Sequence, residues 1–139
     1  MTLIYLAARY SRLDELNRYA RQLRALGHRV EARWLLGAHQ IHDGVLAVET
    51  AEDEVPPQGA LFAQDDFEDL HAAGLVICFT EPPRSNASRG GRHVEFGIAL
   101  GLGKPCWLVG PRENVFYCLP QVRRFRTWEE CKAETARMV

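Results

Sequence analysis

The chain has no pair of cysteines at C-x-x-C spacing, no long apolar run and almost no net charge. Each absence removes a class of protein. The four cysteines, Cys78, Cys106, Cys118 and Cys131, stand apart, and two of them lie in apolar runs with the look of buried strands. A zinc ribbon or disulfide framework is not expected, and a reducing cytoplasm is the expected location. No apolar stretch approaches the ~20 residues that span a bilayer. The N-terminal MTLIYLAARYSR has a short apolar run with no basic region before it and reads as a strand, not a signal peptide. A net charge of −1 gives no reason to expect a nucleic-acid polymer or an anionic membrane as partner. Internal repeats and low-complexity segments are also missing. What remains is a chain of 139 residues, 47% apolar and 25% charged. These are the proportions of one compact globular domain, expected over 1–139.

Apolar periodicity supplies the element order. TLIYLAA (2–8) reads as a strand, and SRLDELNRYARQLRALG as a helix with one apolar stripe, Leu13, Leu16, Tyr19, Ala20, Leu23 and Leu26. Ser11 with Asp14 predicts a capping box, and Gly27 a left-handed stop. HRVEARWL (28–35) alternates as a second strand. Residues 37–59 read as a long loop with a short helix near 45–51; such loops are often functional. ALFAQDDFEDLHAAG (60–74) reads as a helix with Leu61, Phe62, Phe67, Leu70 and Ala73 on its apolar side. LVICFTE and KPCWLVGP read as buried strands around a helix over 92–103. RRFRTWEECKAETARMV reads as an edge strand and a final helix, capped by Thr127 and Glu130. The order predicts an α/β three-layer sandwich, with a mostly parallel Rossmann or flavodoxin-like sheet of about five strands and helices on both faces. Ligands bind such sheets beyond the carboxyl ends of the strands, where the strand order reverses. Three segments meet there: the loop after the first strand (Ala7 to Ser11), the helix before LVICF, and the 80–92 loop.

Within SRGGRHVEFGIALGLGKP (88–105), Glu95 has two readings. An acid in a first helical turn is stabilised by the helix dipole, by ~0.3–1 kcal/mol. Against that, Ser88, Arg89, Gly90, Gly91 and Arg92 ahead of it offer free N–H groups and two guanidinium groups, an anion-binding arrangement. Gly90 and Gly91 also have a plainer reading, as permitting the turn. The helix carries Gly97, Ala99, Gly101 and Gly103, which predicts that something packs closely against it.

RGGRHVEFGIALGLGKPCWLVGP (89–111) resembles the signature of the nucleoside 2-deoxyribosyltransferase-like proteins, whose relatives include the deoxynucleoside 5′-monophosphate N-glycosidases. IYLAARY resembles their first strand, and DFEDLHAAGLVICF their aspartate-bearing helix and following strand. The resemblance covers most of the chain, with 37–60 its poorest part. It implies Glu95 as nucleophile, Asp66 as donor to the departing base and Tyr5 as the group that holds Glu95. For Asp66 the alternative is dipole compensation beside Asp65, and for Tyr5 a place in the core. The chemistry implied is cleavage or transfer of the N-glycosidic bond of 2′-deoxynucleosides or their 5′-monophosphates, through a covalent glycosyl-glutamate. The rivals are a strict nucleoside monophosphate hydrolase and a nucleotide-sensing module without turnover. Neither a metal nor an organic cofactor is required.

One departure is visible. Six residues before the nucleophile those transferases tend to carry an acid and the monophosphate hydrolases a serine, whereas this chain has Arg89, with Ser88 adjacent. Arg9, Arg84, Arg89 and Arg92 together point to an anionic group, hence a nucleotide, since Arg grips phosphate in a bidentate way. Solvated arginines are the alternative. Ala7 belongs to the substrate loop. Trp34 has two readings, a base-stacking ring or a core residue. For Asn114 the family implies reach into a neighbour's site across a homodimer or higher homo-oligomer, and the sequence alone a turn. HQIHD (39–43) has the residue types of a zinc site, but histidines facing a base pocket or solvent suit the loop better.

Overall fold

The structure, a computed structural model, describes residues 1–37, 57–82 and 90–139. The expected short helix near 45–51 and the HQIHD group lie outside them. Five strands, β1 (Leu3–Ala7), β2 (Arg29–Val30), β3 (Leu75–Phe79), β4 (Cys106–Val109) and β5 (Val122–Phe125), form one parallel sheet in the order β2-β1-β3-β4-β5. Every residue of β3 and β4 is buried, which is why both read as unbroken apolar runs. Among the described residues four helices cover the sheet: α1 (Leu13–Ala25), α2 (Pro57–Ala72), α3 (Gly91–Gly101) and α4 (Trp128–Ala136). On one face Trp128 of α4 donates its indole N–H to Gln22 of α1 at 2.6 Å and stacks on Tyr19 at 4.4 Å. On the other, α2 and α3 pack against each other and against β1. The predicted three-layer α/β sandwich is the observed fold.

Several boundaries move for local reasons. The Ser11 capping box does not form. Tyr10–Arg12 is a 3-10 turn running straight into α1, and the Arg12 and Leu13 N–H groups bond to the Arg9 and Tyr10 carbonyls instead. The second strand is cut to two residues. The Leu6 carbonyl faces the β2 side and accepts the Trp34 indole N–H at 2.8 Å, while the Arg33 N–H goes to the Asp69 carboxylate at 2.8 Å. Side chains thus take the ladder's places, and Arg33–Leu36 turns as a 3-10 segment. Helix α2 starts earlier, on Pro57, a residue whose fixed φ and missing N–H suit a first turn. Its Leu70 and, just past its end, Ala73 are buried, but Leu61 and Phe67 face outward. Gly27 ends α1 at φ +97°, and the Thr127 hydroxyl caps α4 by accepting from Glu130 N at 3.2 Å, as predicted.

Gly110, after β4, is a position where glycine is obligatory. Its φ is +118°, and a Cβ there would lie 2.8 Å from Thr80 Oγ1 and 3.1 Å from Thr80 O. The carboxyl ends of β3 and β4 therefore approach each other closely. Among the described residues of one chain nothing packs closely on Gly97, Gly101 or Gly103: a Cβ at any of them would meet no described atom within 4 Å. The buried side of α3 is instead Arg92, Phe96 and Ala99.

Candidate active site

The sheet order reverses between β1 and β3: the chain leaves β1 toward β2 on one side and returns through α2 to β3 on the other. The carboxyl ends of β1 and β3, where Ala7 pairs with Cys78, thus mark the ligand edge. Tyr5 on β1, Asp66 on α2 and Glu95 on α3 converge beneath it, close enough for each charge to act on the others.

Gly90 caps α3 at φ +82°, and the helix begins at Gly91, so Glu95 is in its second turn. The first turn holds no acid. Dipole compensation therefore does not explain Glu95. Nor does it explain Asp66, which lies in the third turn of α2. The Glu95 Oε2 is shut off from solvent, as is the Tyr5 Oη, and neither makes a hydrogen bond of good geometry. The phenol is nonetheless near enough to favour the charged carboxylate. Burial dominates and, with the Asp66 charge adding to it, pushes the Glu95 carboxyl up to about 8. Burial and the Glu95 charge raise the Tyr5 phenol well above its ordinary value. Among the described residues no cation pairs with Glu95. A buried acid without a counter-charge is costly to a fold and is commonest where chemistry needs it.

The other expected site residues separate. Arg92 is 3% exposed and grips Glu113: Nη2 reaches Oε1 at 2.8 Å and Oε2 at 2.7 Å. It is a buried cation paired with Glu113, where the sequence reading had it facing an anion. Arg9 is half-buried just past β1. Trp34 is buried with its indole tied to Leu6, as a core residue would be. Ala7 is fully buried at the strand end. Gly90 supplies the left-handed cap, and a Cβ on Gly91 would come 3.9 Å from Glu95 Oε1. Asn114 caps the 3-10 turn Val115–Cys118, accepting from Phe116 N at 3.0 Å. Arg84, Ser88 and Arg89 lie outside the described residues.

Sequence reasoning missed Glu113 and its surroundings. Glu113 Oε1 also accepts from Glu81 N at 2.7 Å, and its Oε2 lies 3.6 Å from His93 Nε2. His93 Nδ1 pairs with Tyr117 Oη at 2.6 Å, and Tyr117 in turn meets Cys78 Sγ at 3.4 Å. The linear hint was an acid two residues after the Gly-Pro that ends a buried strand.

The chain is thus an α/β sandwich of this strand order with a buried carboxyl under its switch point. No family model and no curated protein matches the sequence. Solved structures share the fold. A 2-deoxyribosyltransferase from the psychrotolerant bacterium Bacillus psychrosaccharolyticus superposes with a TM-score of 0.67 at 21% identity, over 94% of this chain and 90% of that one. The CMP N-glycosidase BcmB of Clostridium botulinum gives 0.61 at 17% identity, over 99% of both chains. A conserved protein of Enterococcus faecalis V583 gives 0.65 at 16%, over 100% of this chain and 99% of that one.

Proposed function

We propose that this chain breaks or exchanges the N-glycosidic bond of 2′-deoxynucleosides or their 5′-monophosphates, with Glu95 as nucleophile. The observation that carries this is the buried Glu95 carboxyl beside the Tyr5 phenol and Asp66, at the β1/β3 edge. Two proteins of the same fold, a deoxyribosyltransferase and a CMP N-glycosidase, add support. The ionised Glu95 carboxylate forms a bond to C1′ of the sugar as the C1′–N bond breaks. The Asp66–Glu95 pair carries one proton, which sits on Asp66 while Glu95 is ionised; the leaving base carries off the broken bond's electron pair and takes that proton. Water or a second base then attacks C1′ and gives its proton to the Asp66 carboxylate, and the Glu95 carboxylate is released. Two inversions leave the configuration retained. Tyr5 favours the ionised form of Glu95, which burial otherwise opposes.

Arg9 is proposed to hold the sugar or phosphate end, beside Ala7, Gly90 and Gly91, with Arg92 behind them paired to Glu113. Ser88 and Arg89 keep that proposed role from the sequence. Work in the cytoplasm is proposed from the four free cysteines. A second copy is proposed to complete the site near Asn114, because Val115 and Phe116 beside it are 75% and 63% exposed.

Incubation with a 2-fluoro-arabinosyl nucleoside or nucleotide tests the nucleophile. The expected result is an intact-mass increase equal to one glycosyl group, lost in Glu95→Ala. No adduct and no base release across a panel of nucleosides and monophosphates would refute the reading. Labelled substrate with and without a second base separates transferase from hydrolase, and sedimentation reads the oligomer.

A further inference from the structure

Three segments around the ligand edge are pinned by one side chain. The Glu113 carboxylate, on the 110–114 connection after β4, takes both N–H groups of Arg92 Nη2 and the backbone N–H of Glu81 just past β3. Both ends of the ion pair are nearly closed to solvent, with Arg92 at 3% and Glu113 at 10% exposure. Arg92 lies one helical turn before Glu95 on α3. The next residue, His93, is held by Tyr117 of the same post-β4 segment, and the Tyr117 ring packs on Phe96 at 4.5 Å. The start of α3 is thus fastened on both sides of Glu95, to one segment.

Apolar side chains hold a helix as well as a buried ion pair does, at a smaller desolvation cost. What the pair adds is direction: a bidentate fork fixes orientation as well as distance. We propose that Glu113 is a positioning residue for Glu95, setting through Arg92 and the Glu81 backbone where the first turns of α3 lie over β3 and so where the Glu95 carboxyl sits against Tyr5. The inference uses the reading of Glu95 given above, but its test does not depend on turnover.

The test follows the Glu95 side-chain carboxyl by 13C NMR during a pH titration, its signal assigned by loss in Glu95→Gln. Wild type is compared with Glu113→Gln and with the double variant Arg92→Met/Glu113→Leu, which replaces the pair by apolar bulk. The Glu95 midpoint is expected to fall by about one pH unit or more in either variant, as the carboxyl leaves its seat for a wetter one. If wild type turns over nucleosides, kcat falls about 10- to 100-fold in Glu113→Gln with KM little changed. A folded variant with the Glu95 midpoint unmoved overturns the proposal. So does failure of both variants to fold, because the pair would then serve folding and not placement. A wild type with no turnover but a moved midpoint refutes the proposed reaction and leaves the positioning role standing.

Discussion

Glu95 and Glu113 are both withdrawn from water near the carboxyl edge of the sheet, yet they are opposite in character. Glu113 is neutralised by Arg92 and by the Glu81 N–H, and its carboxyl is held below its ordinary value in spite of burial. Glu95 has a phenol and another acid for company, and burial drives it up to about 8. Depth in the protein therefore does not set an acid's role; the partners found there do. One carboxylate is spent on structure, and the other is kept available at a cost in stability.

The largest expected effect separates the two in function. Glu95→Ala should lower base release by about 10³-fold or more and remove the trapped adduct, measured by steady-state assay and intact mass. In stability the order reverses. Arg92→Met leaves Glu113 buried without its cation, and denaturant unfolding at pH 7 should show a loss of about 3–5 kcal/mol. A loss under 1 kcal/mol would erase the contrast. Next comes the pH dependence of folding. Glu95 binds its proton more tightly folded than unfolded, so its contribution is complete below the ordinary value of 4.5 and is lost as pH rises toward about 8. Glu95→Gln should therefore gain on wild type across that window, by up to about 1.4 kcal/mol per pH unit. Glu113, held low, works the other way: its contribution is present above the ordinary carboxylate range and fades as the solution becomes more acidic. The smallest effect is on the acidic limb of the pH–rate profile. Tyr5→Phe should move it up and Asp66→Asn down, each by about one pH unit or less, because the phenol favours the charged carboxylate and the Asp66 charge opposes it.

Much of this was legible in the linear order of residues. The apolar runs at 75–79 and 106–109 announced buried parallel strands, and Thr127 announced the start of α4. Glu95, Asp66 and Tyr5 were singled out, and the fold brings them together. The features that sequence could not foresee share a physical cause. Arg92 looked like a ligand for anions because its partner is 21 residues away, and no periodicity links the two. The alternation in 28–35 promised a full strand, but an indole and an aspartate captured the ladder's hydrogen bonds. The glycines of α3 suggested tight packing where a Cβ would meet nothing described within 4 Å.

Local chemistry was enough to lay down which segments become strands and helices, because backbone hydrogen bonding and apolar period act over a few neighbouring residues. It was also enough to place one glutamate beyond a paired glycine on the helix after β3. Whether that glutamate would be neutralised by a cation or kept beside a phenol and another acid was settled by packing. The charge state of a buried acid depends on groups brought from distant parts of the chain, and here Arg92 was drawn to Glu113 while Tyr5 and Asp66 were drawn to Glu95.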